Sequence, residues 1–249
     1  MKRAAGQFAT IFSKSSATFA VLATLAISGL SSPSNAADPA ALQQLLETRS
    51  CSGCDLTNAD LSRADLVHAD LSSADLSGAN LNEAKLNQAN LIGANLSQAS
   101  LIDTRLHGAD LTNANLAGAD LSLAGLVIAN LQDADLSGAN LLGANLDSAN
   151  LHRAILDGAR QTMAGLQAIN VEQGSGYPMD VLGINLRDAN LSDASLQRAD
   201  LSGAELPGVS LVNADMRNAR LEGANLSRIN IENAQVEGTV LARHIVKDL

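Results

Sequence analysis

From Leu56 to Leu156 every fifth residue is leucine, at 21 positions without an exception. Two residues before each slot stands alanine, from Ala59 through Ala164, with Thr104 the only departure. The residue between the two is mostly Asp or Asn, as at Asp60, Asp65, Asp70, Asp75, Asn80, Asn90 and Asn95. A second block, from Leu186 to Leu241, again keeps an aliphatic residue at every fifth place, Met216, Ile231 and Val236 among them. A period of five suits neither common element. On an α-helix each step of five advances about 500°, which spreads the leucines over all sides. On a strand an odd step sends successive leucines to opposite faces. The leucines share one interior only if the chain turns a corner every five residues. Four corners close a square of twenty residues, and stacked squares make a solenoid in which each Leu lies over the Leu twenty residues earlier.

The stretches ADLSSADLSGANL (69–81) and GADLSLAGL (118–126), with more than thirty such units in phase, resemble the pentapeptide-repeat family over roughly residues 51–243. That resemblance implies an all-β fold, a right-handed quadrilateral β-helix, with the Leu and Ala slots facing inward and the other three facing solvent. At about 4.8 Å per layer, nine or ten coils would stack to roughly 45 Å. Burying one Leu contributes roughly 1.5–3 kcal/mol. No coil buries its own faces alone, so stability accrues between neighbours and the ends need covers.

Composition agrees with a core of this kind. Phe8, Phe12 and Phe19 are the only phenylalanines, Trp is absent and Tyr177 is the sole tyrosine, so the remaining chain must pack Ala, Leu and a few Ile, Val and Met. The first 36 residues read as a secretory signal: Lys2, Arg3 and Lys14 are basic, Phe19 to Leu30 is apolar, and Ser34-Asn35-Ala36 offers small residues for cleavage after Ala36 or Ala37. The alternative is a membrane anchor, but this apolar run falls short of the ~20 residues that span a bilayer. The chain carries −10 formal charges, and −13 without those 36 residues, which hold three basic and no acidic groups. Such acidity argues against nucleic-acid and anionic-membrane binding.

Asp38-Pro39 reads as the start of a short helix over 38–48, within an N-terminal cap at 37–50, with Leu42, Leu45 and Leu46 on one side. The solenoid is expected over 51–243, followed by a tail at 244–249. In its middle, Ala164-Gly165-Leu166, Ile169-Asn170-Val171 and Met179-Asp180-Val181 still fit the register, and only the segment 174–178 does not. The reading is one continuous solenoid with a surface loop there, bearing Tyr177 either folded on the wall or presented to a partner.

Ile102, Leu123, Val127, Ile128 and Leu142 occupy outward slots on two adjoining faces, within about two coils. With Tyr177 they form a candidate interaction patch, for a protein partner or self-association. Cover by the 174–178 loop and tolerance of apolar residues at corners are the alternatives. Cys51 falls on a Leu slot and Cys54 on an Ala slot, so both are expected to face inward at the first coil. A disulfide, a pair of reduced buried thiols and redox chemistry are the readings open to them, and two cysteines alone do not make a zinc site. His68, His107, His152 and His244 do not cluster, and the carboxylates from Asp55 to Asp75 follow one another around the first coil in exposed slots. No phosphate loop or nucleophile elbow is present. No catalytic, cofactor or metal site is therefore expected. The leading expectation is a non-catalytic structural or protein-binding rod, exported to a periplasm or thylakoid lumen. An accessory or lid for an exported enzyme is a further option. The alternative, implied by the resemblance, is a DNA-mimicking protein that protects a topoisomerase, which requires a chain that is not exported.

Overall fold

Each five-residue unit has five backbone N–H groups to satisfy, and the unit Leu71–Asp75 shows where they go. The structure is a computed structural model and describes residues 37–161 and 183–241. Leu71 donates to the carbonyl of Asn90 at 2.8 Å and Ser73 to that of Ile92 at 2.8 Å, both one layer on. Asp75 donates back to the carbonyl of Cys54 at 2.9 Å, and Ala74 closes a turn onto Leu71 at 3.1 Å. The fifth N–H, of Ser72, is accepted by the Oδ1 of Asp70 at 3.1 Å. No backbone donor of the unit is left over, as a buried ladder demands. This is why the position between Ala and Leu favours Asp or Asn: a short side chain there reaches the N–H two residues on.

The resulting bridges are parallel and, but for one step, join residues twenty apart in four columns. One runs Ser50, Asp70, Asn90, Asp110, Asn130, Asn150, Asn190, Ser210, Asn230. At the far end the pairing lengthens into two short strands, β1 (Arg220–Leu221) and β2 (Val240–Leu241). The Leu and Ala columns between these ladders form one continuous buried core. Thr104, the exception in the alanine column, is also buried, and its hydroxyl donates to the carbonyl of Leu81 at 2.7 Å. Thr239 makes the equivalent bond to Met216. A threonine is accepted in the small slot because the Leu-slot carbonyl 23 residues earlier takes its proton.

The third residue of each turn sits in the left-handed region, with φ near +60°, at glycines and also at residues such as Arg63, Glu83 and Leu123. A positive φ at that place is the signature of a type II turn, which favours Gly or Asn.

The register changes at one place. Asn145 pairs with Asn185, Asn150 with Asn190 and Ile155 with Ser195, forty residues apart instead of twenty. The ladder passes directly from the layer of 145–160 to that of 185–200, and the expected turns at 164–181 lie outside the described residues. The phase of five persists across the interruption because forty is two whole layers. The expected loop at 174–178 with Tyr177, the signal segment and the tail at 244–249 lie outside the described residues.

The helix α1 (Pro39–Thr48) begins with Asp38, whose carboxylate accepts from the Ala40 N–H at 2.9 Å, with Pro39 in the first turn. It ends at Arg49 in the left-handed conformation, whose N–H returns to the Leu45 carbonyl. Ala41 and Leu45 are buried in the solenoid core and Leu42 packs partly against it, whereas Leu46 is exposed. The apolar stripe is thus centred one residue earlier than the Leu42, Leu45, Leu46 spacing predicts.

Candidate functional site

The wall offers three outward positions per turn, so any site must be built from side chains that depart from the Ser, Asn, Asp and Gly usual there. On the face whose layers begin at 100, 120 and 140, Ile102, Ser122, Leu123, Asn140 and Leu142 all depart in another sense: they are buried. Slot for slot the contrast is sharp. Ile102 is 1% exposed, while Ile92 in the same slot of the opposite face is 40% exposed. Leu123 is 7% exposed and Ile128, five residues on in the same slot, is 59% exposed. Of the six candidate patch residues, the structure therefore brings Ile102, Leu123 and Leu142 together under cover. Val127 is half-buried, Ile128 is open to solvent, and Tyr177 lies outside the described residues. Of this patch, what is open to a partner is Ile128 with the edge of Val127, narrower than the slots alone imply; Ile92, Ile155 and Val240 are exposed elsewhere on the wall.

Ile128 is unusual for a second reason. It stands third in its turn at φ 59°, and it is the one β-branched residue among the described residues with positive φ. A branched Cβ is poorly accommodated there.

Asp103 borders the covered residues. Its burial pushes its carboxyl above the usual range, with Glu83 adding repulsion and Arg105 opposing both. Elsewhere the charged groups pair along the columns. Arg63 makes a forked contact to Glu83 at 3.0 and 2.9 Å, one layer on, and Arg153 does the same to Asp133 at 2.6 and 2.6 Å. Those bonds hold Glu83 and Asp133 below the ordinary carboxylate range, as Arg217 does for Asp215. Such exposed pairs contribute little to stability. His68 and His107 are exposed, and His152 lies with Nδ1 at 3.0 Å from the Ser192 carbonyl and 3.6 Å from Asp193. His244 lies outside the described residues. Among the described residues no group of His, Cys, Asp and Glu is arranged to hold a metal ion.

At the first coil Cys51 and Cys54 are joined in a disulfide, Cys51 fully buried and Cys54 only partly so. The Sγ of Cys51 lies 3.3 Å from the carbonyl oxygen of Ala41, so the bridge sits where α1 meets the solenoid.

A further residue went unnoticed in the sequence. Gln161 takes a Leu slot at the point where the ladder breaks. Its Nε2 donates to the carbonyls of Asp200 and Ser202, each at 3.1 Å, and its Oε1 accepts from the N–H of Ile184 at 3.2 Å. Gln161 thereby ties together the chain ends on either side of the interruption. The signal was available: it is the first non-leucine after 21 leucine slots.

A family model described as pentapeptide repeats matches this chain in eight copies, over residues 50–88, 89–124, 129–160 and 184–223. The largest gap between matches coincides with the break in the ladder, and the short one, 125–128, contains Val127 and Ile128. No curated protein matches the chain. Among solved structures, a trypsin-treated form of QnrB1, a plasmid-mediated fluoroquinolone resistance protein, is 20% identical, with 79% of this chain and 84% of that one covered and a TM-score of 0.46. HetL, involved in heterocyst differentiation regulation in the cyanobacterium Nostoc sp. strain PCC 7120, is 32% identical over 77% of this chain and 84% of its own, with a TM-score of 0.29. A protein of the Arabidopsis thaliana thylakoid lumen is 29% identical over 53% and 68%, with a TM-score of 0.25.

Proposed function

Because the chain belongs to the pentapeptide-repeat family, we propose that it is a non-catalytic, protein-binding rod, a right-handed quadrilateral β-helix with α1 as its N-terminal cap. It acts in an exported compartment, a periplasm or thylakoid lumen, after losing residues 1–36. The observation that carries the binding role is Ile128. It is a β-branched side chain in a left-handed turn, 59% exposed, so it disfavours the fold locally and buries little in return. Residues held in sparsely populated conformations cluster at contact sites. The partner surface is therefore Val127 and Ile128 on an acidic wall, and it suits a protein with an apolar contact ringed by basic groups.

The outward polar side chains support a role other than catalysis, since most are engaged in the wall itself. Asp and Asn accept N–H groups within their own turns, and Asn Nδ2 donates to the side chain one layer before, as Asn90 does to Asp70 at 3.1 Å and Asn95 to Asp75 at 3.0 Å.

The test is intact mass of the native protein from fractionated cells, joined to cross-linking of that fraction. A chain beginning at Ala37 or Asp38 in the exported soluble fraction, with a cross-linked assembly that Ile128→Asn abolishes, is the expected result. A full-length chain in the cytoplasm would overturn the exported role and put topoisomerase protection first. An exported chain whose assembly is unaltered by Ile128→Asn would remove the assigned surface.

A further inference from the structure

The face that carries Val127 and Ile128 is divided in charge about that layer. Lys85 and Arg105 are bridged neighbours in its column between Ala and Leu, and Gly125 and Asn145 follow them. Like charges side by side in a ladder are unfavourable. Both are exposed, and among the described residues neither makes an ion pair. Past Gly125 the sign reverses. Asp147 and Asp188 stand in the next two layers, again outside any ion pair among the described residues, with Arg187 the cation beside them.

Between the two halves lies a glycine that the single chain does not explain. Gly125 is the only glycine in a column between Ala and Leu among the described residues. Its φ is outside the left-handed region, and a Cβ added there would meet nothing within 4 Å. Neither its backbone nor its own packing therefore calls for glycine. The choice has a cost: where Asp110 or Asn130 holds that place, its Oδ1 accepts the N–H two residues on, and the Val127 N–H lacks that bond. A glycine within a ladder marks a place where another backbone or ligand comes close.

We propose that a second copy of the chain binds this face, antiparallel, about a two-fold axis through the centre of the 125 layer. The proposal rests on the reading of Val127 and Ile128 as the partner surface, and the second copy is the partner which that reading calls for, an apolar contact beside basic groups. The rotation inverts the order of the layers and exchanges the two outward columns that flank the Leu column. Val127 of each copy then lies over Gly125 of the other, where the absent side chain leaves room, and Ile128 borders the contact. The 105 layer meets the 145 layer, so Arg105 faces the partner's Asp147. Lys85 meets the layer of Arg187 and Asp188, where only Asp188 offers it a counter-charge. A parallel pairing would instead set each layer against itself, Arg105 on Arg105. The two-fold closes the contact at two copies, so it does not propagate into a fibre. Seven layers at about 4.8 Å give a contact roughly 34 Å long. That is small among stable interfaces, so the dimer should come apart on dilution and weaken with salt.

Sedimentation velocity of the protein as isolated from cells, over a dilution series, tests this. The unaltered chain should dimerise reversibly. Arg105→Asp and Asp147→Arg should each raise the dissociation constant by about tenfold or more. A chain with both changes should return to within about threefold of the unaltered one, because the two-fold axis sets the exchanged charges against each other again. Gly125→Asn should abolish the dimer yet keep or raise the melting temperature of the dilute monomer, since it restores the missing side-chain bond to the backbone. A protein that is monomeric at every concentration overturns the proposal, and so does a doubly altered chain as weak as the single ones. Should a charge variant fail to fold, Gly125→Asn decides, and a dimer as tight as the parent's overturns the proposal. If the protein is monomeric but Ile128→Asn still abolishes a cross-linked assembly, a different protein holds the surface and only the second copy falls. If Ile128→Asn changes nothing either, the surface falls with it.

Discussion

Asp103 shows how far a single outward residue can depart from its neighbours. Its carboxyl is pushed up by burial first and by Glu83 second, and it sits at φ 54°, a conformation that suits Asn at least as well. A carboxyl whose folded pKa is raised binds its proton more tightly in the folded state. Its contribution to stability is therefore fully present below the unfolded pKa and is lost as pH rises through the folded value. Asp103→Asn removes that charge and keeps the shape, so the melting temperature at neutral pH should rise and its decline from mildly acid to neutral pH should flatten. Thermal melts of both chains across that range check it, and parallel profiles would contradict the burial argument. Glu83, Asp133 and Asp215 run the other way: their folded pKa values are depressed, and what they add is lost as pH falls below the ordinary carboxylate range. Thr104 makes a second residue-scale prediction. Thr104→Val keeps the volume but loses the proton given to Leu81, which should cost about 1 kcal/mol in denaturant unfolding. Thr104→Ala, which restores the repeat, should cost less.

Among the elements, the junction at 161–184 was the least legible in sequence. The five-residue phase identified the walls, the inward Leu and Ala columns and the start of α1 at Asp38-Pro39, because each of those follows from local spacing and capping chemistry. Phase is blind to multiples of twenty, so it could not tell that Asn145 pairs with Asn185. Burial of Ile102, Leu123 and Leu142 was equally invisible, since a slot fixes the direction of a side chain and not what lies over it. Ile128 was assigned outward and is outward. The junction itself rests on two residues. Gln161 supplies three hydrogen bonds across the gap, and Gly183 lies so close to the backbone carbonyl of Gly203 that a Cβ there would overlap it. A backbone atom cannot swing aside as a side chain can. Gly183→Ala should destabilise by about 1–3 kcal/mol through forced displacement of a packed layer, and hydrogen exchange should rise first at Asn185–Ala189 and Glu205. Gly158→Ala meets nothing within 4 Å and should show only the smaller strain of its positive φ.

For the whole molecule, the consequence of stacking is that layers differ in stability according to their neighbours. A middle layer is covered on both sides, and its Leu106, Leu111, Leu116 and Leu121 are fully buried. In the last described layer Leu226, Ile231 and Val236 are only partly buried, and their N–H groups face no further rung among the described residues. At the other end Ala41 and Leu45 of α1 are buried with the core near the Cys51–Cys54 disulfide. In a quasi-one-dimensional stack the total is a sum of layer and interface terms, so unfolding should begin where an interface is missing. Hydrogen exchange should accordingly be fastest for amides at 222–240, slower beside α1 and slowest around Leu101–Leu136. Leu106→Asp puts a charge into the middle of the leucine column, where no partner can reach it. Burying an unpaired carboxylate and losing one leucine together should cost well above 4 kcal/mol, the range of exceptional single-site effects. The same replacement at Val236, at the partly open end, should cost under about 1.5 kcal/mol because the carboxylate can turn to water. Equal losses at the two sites in thermal unfolding would mean that the chain unfolds as one unit indifferent to position, and that stacking between neighbours is not what holds it.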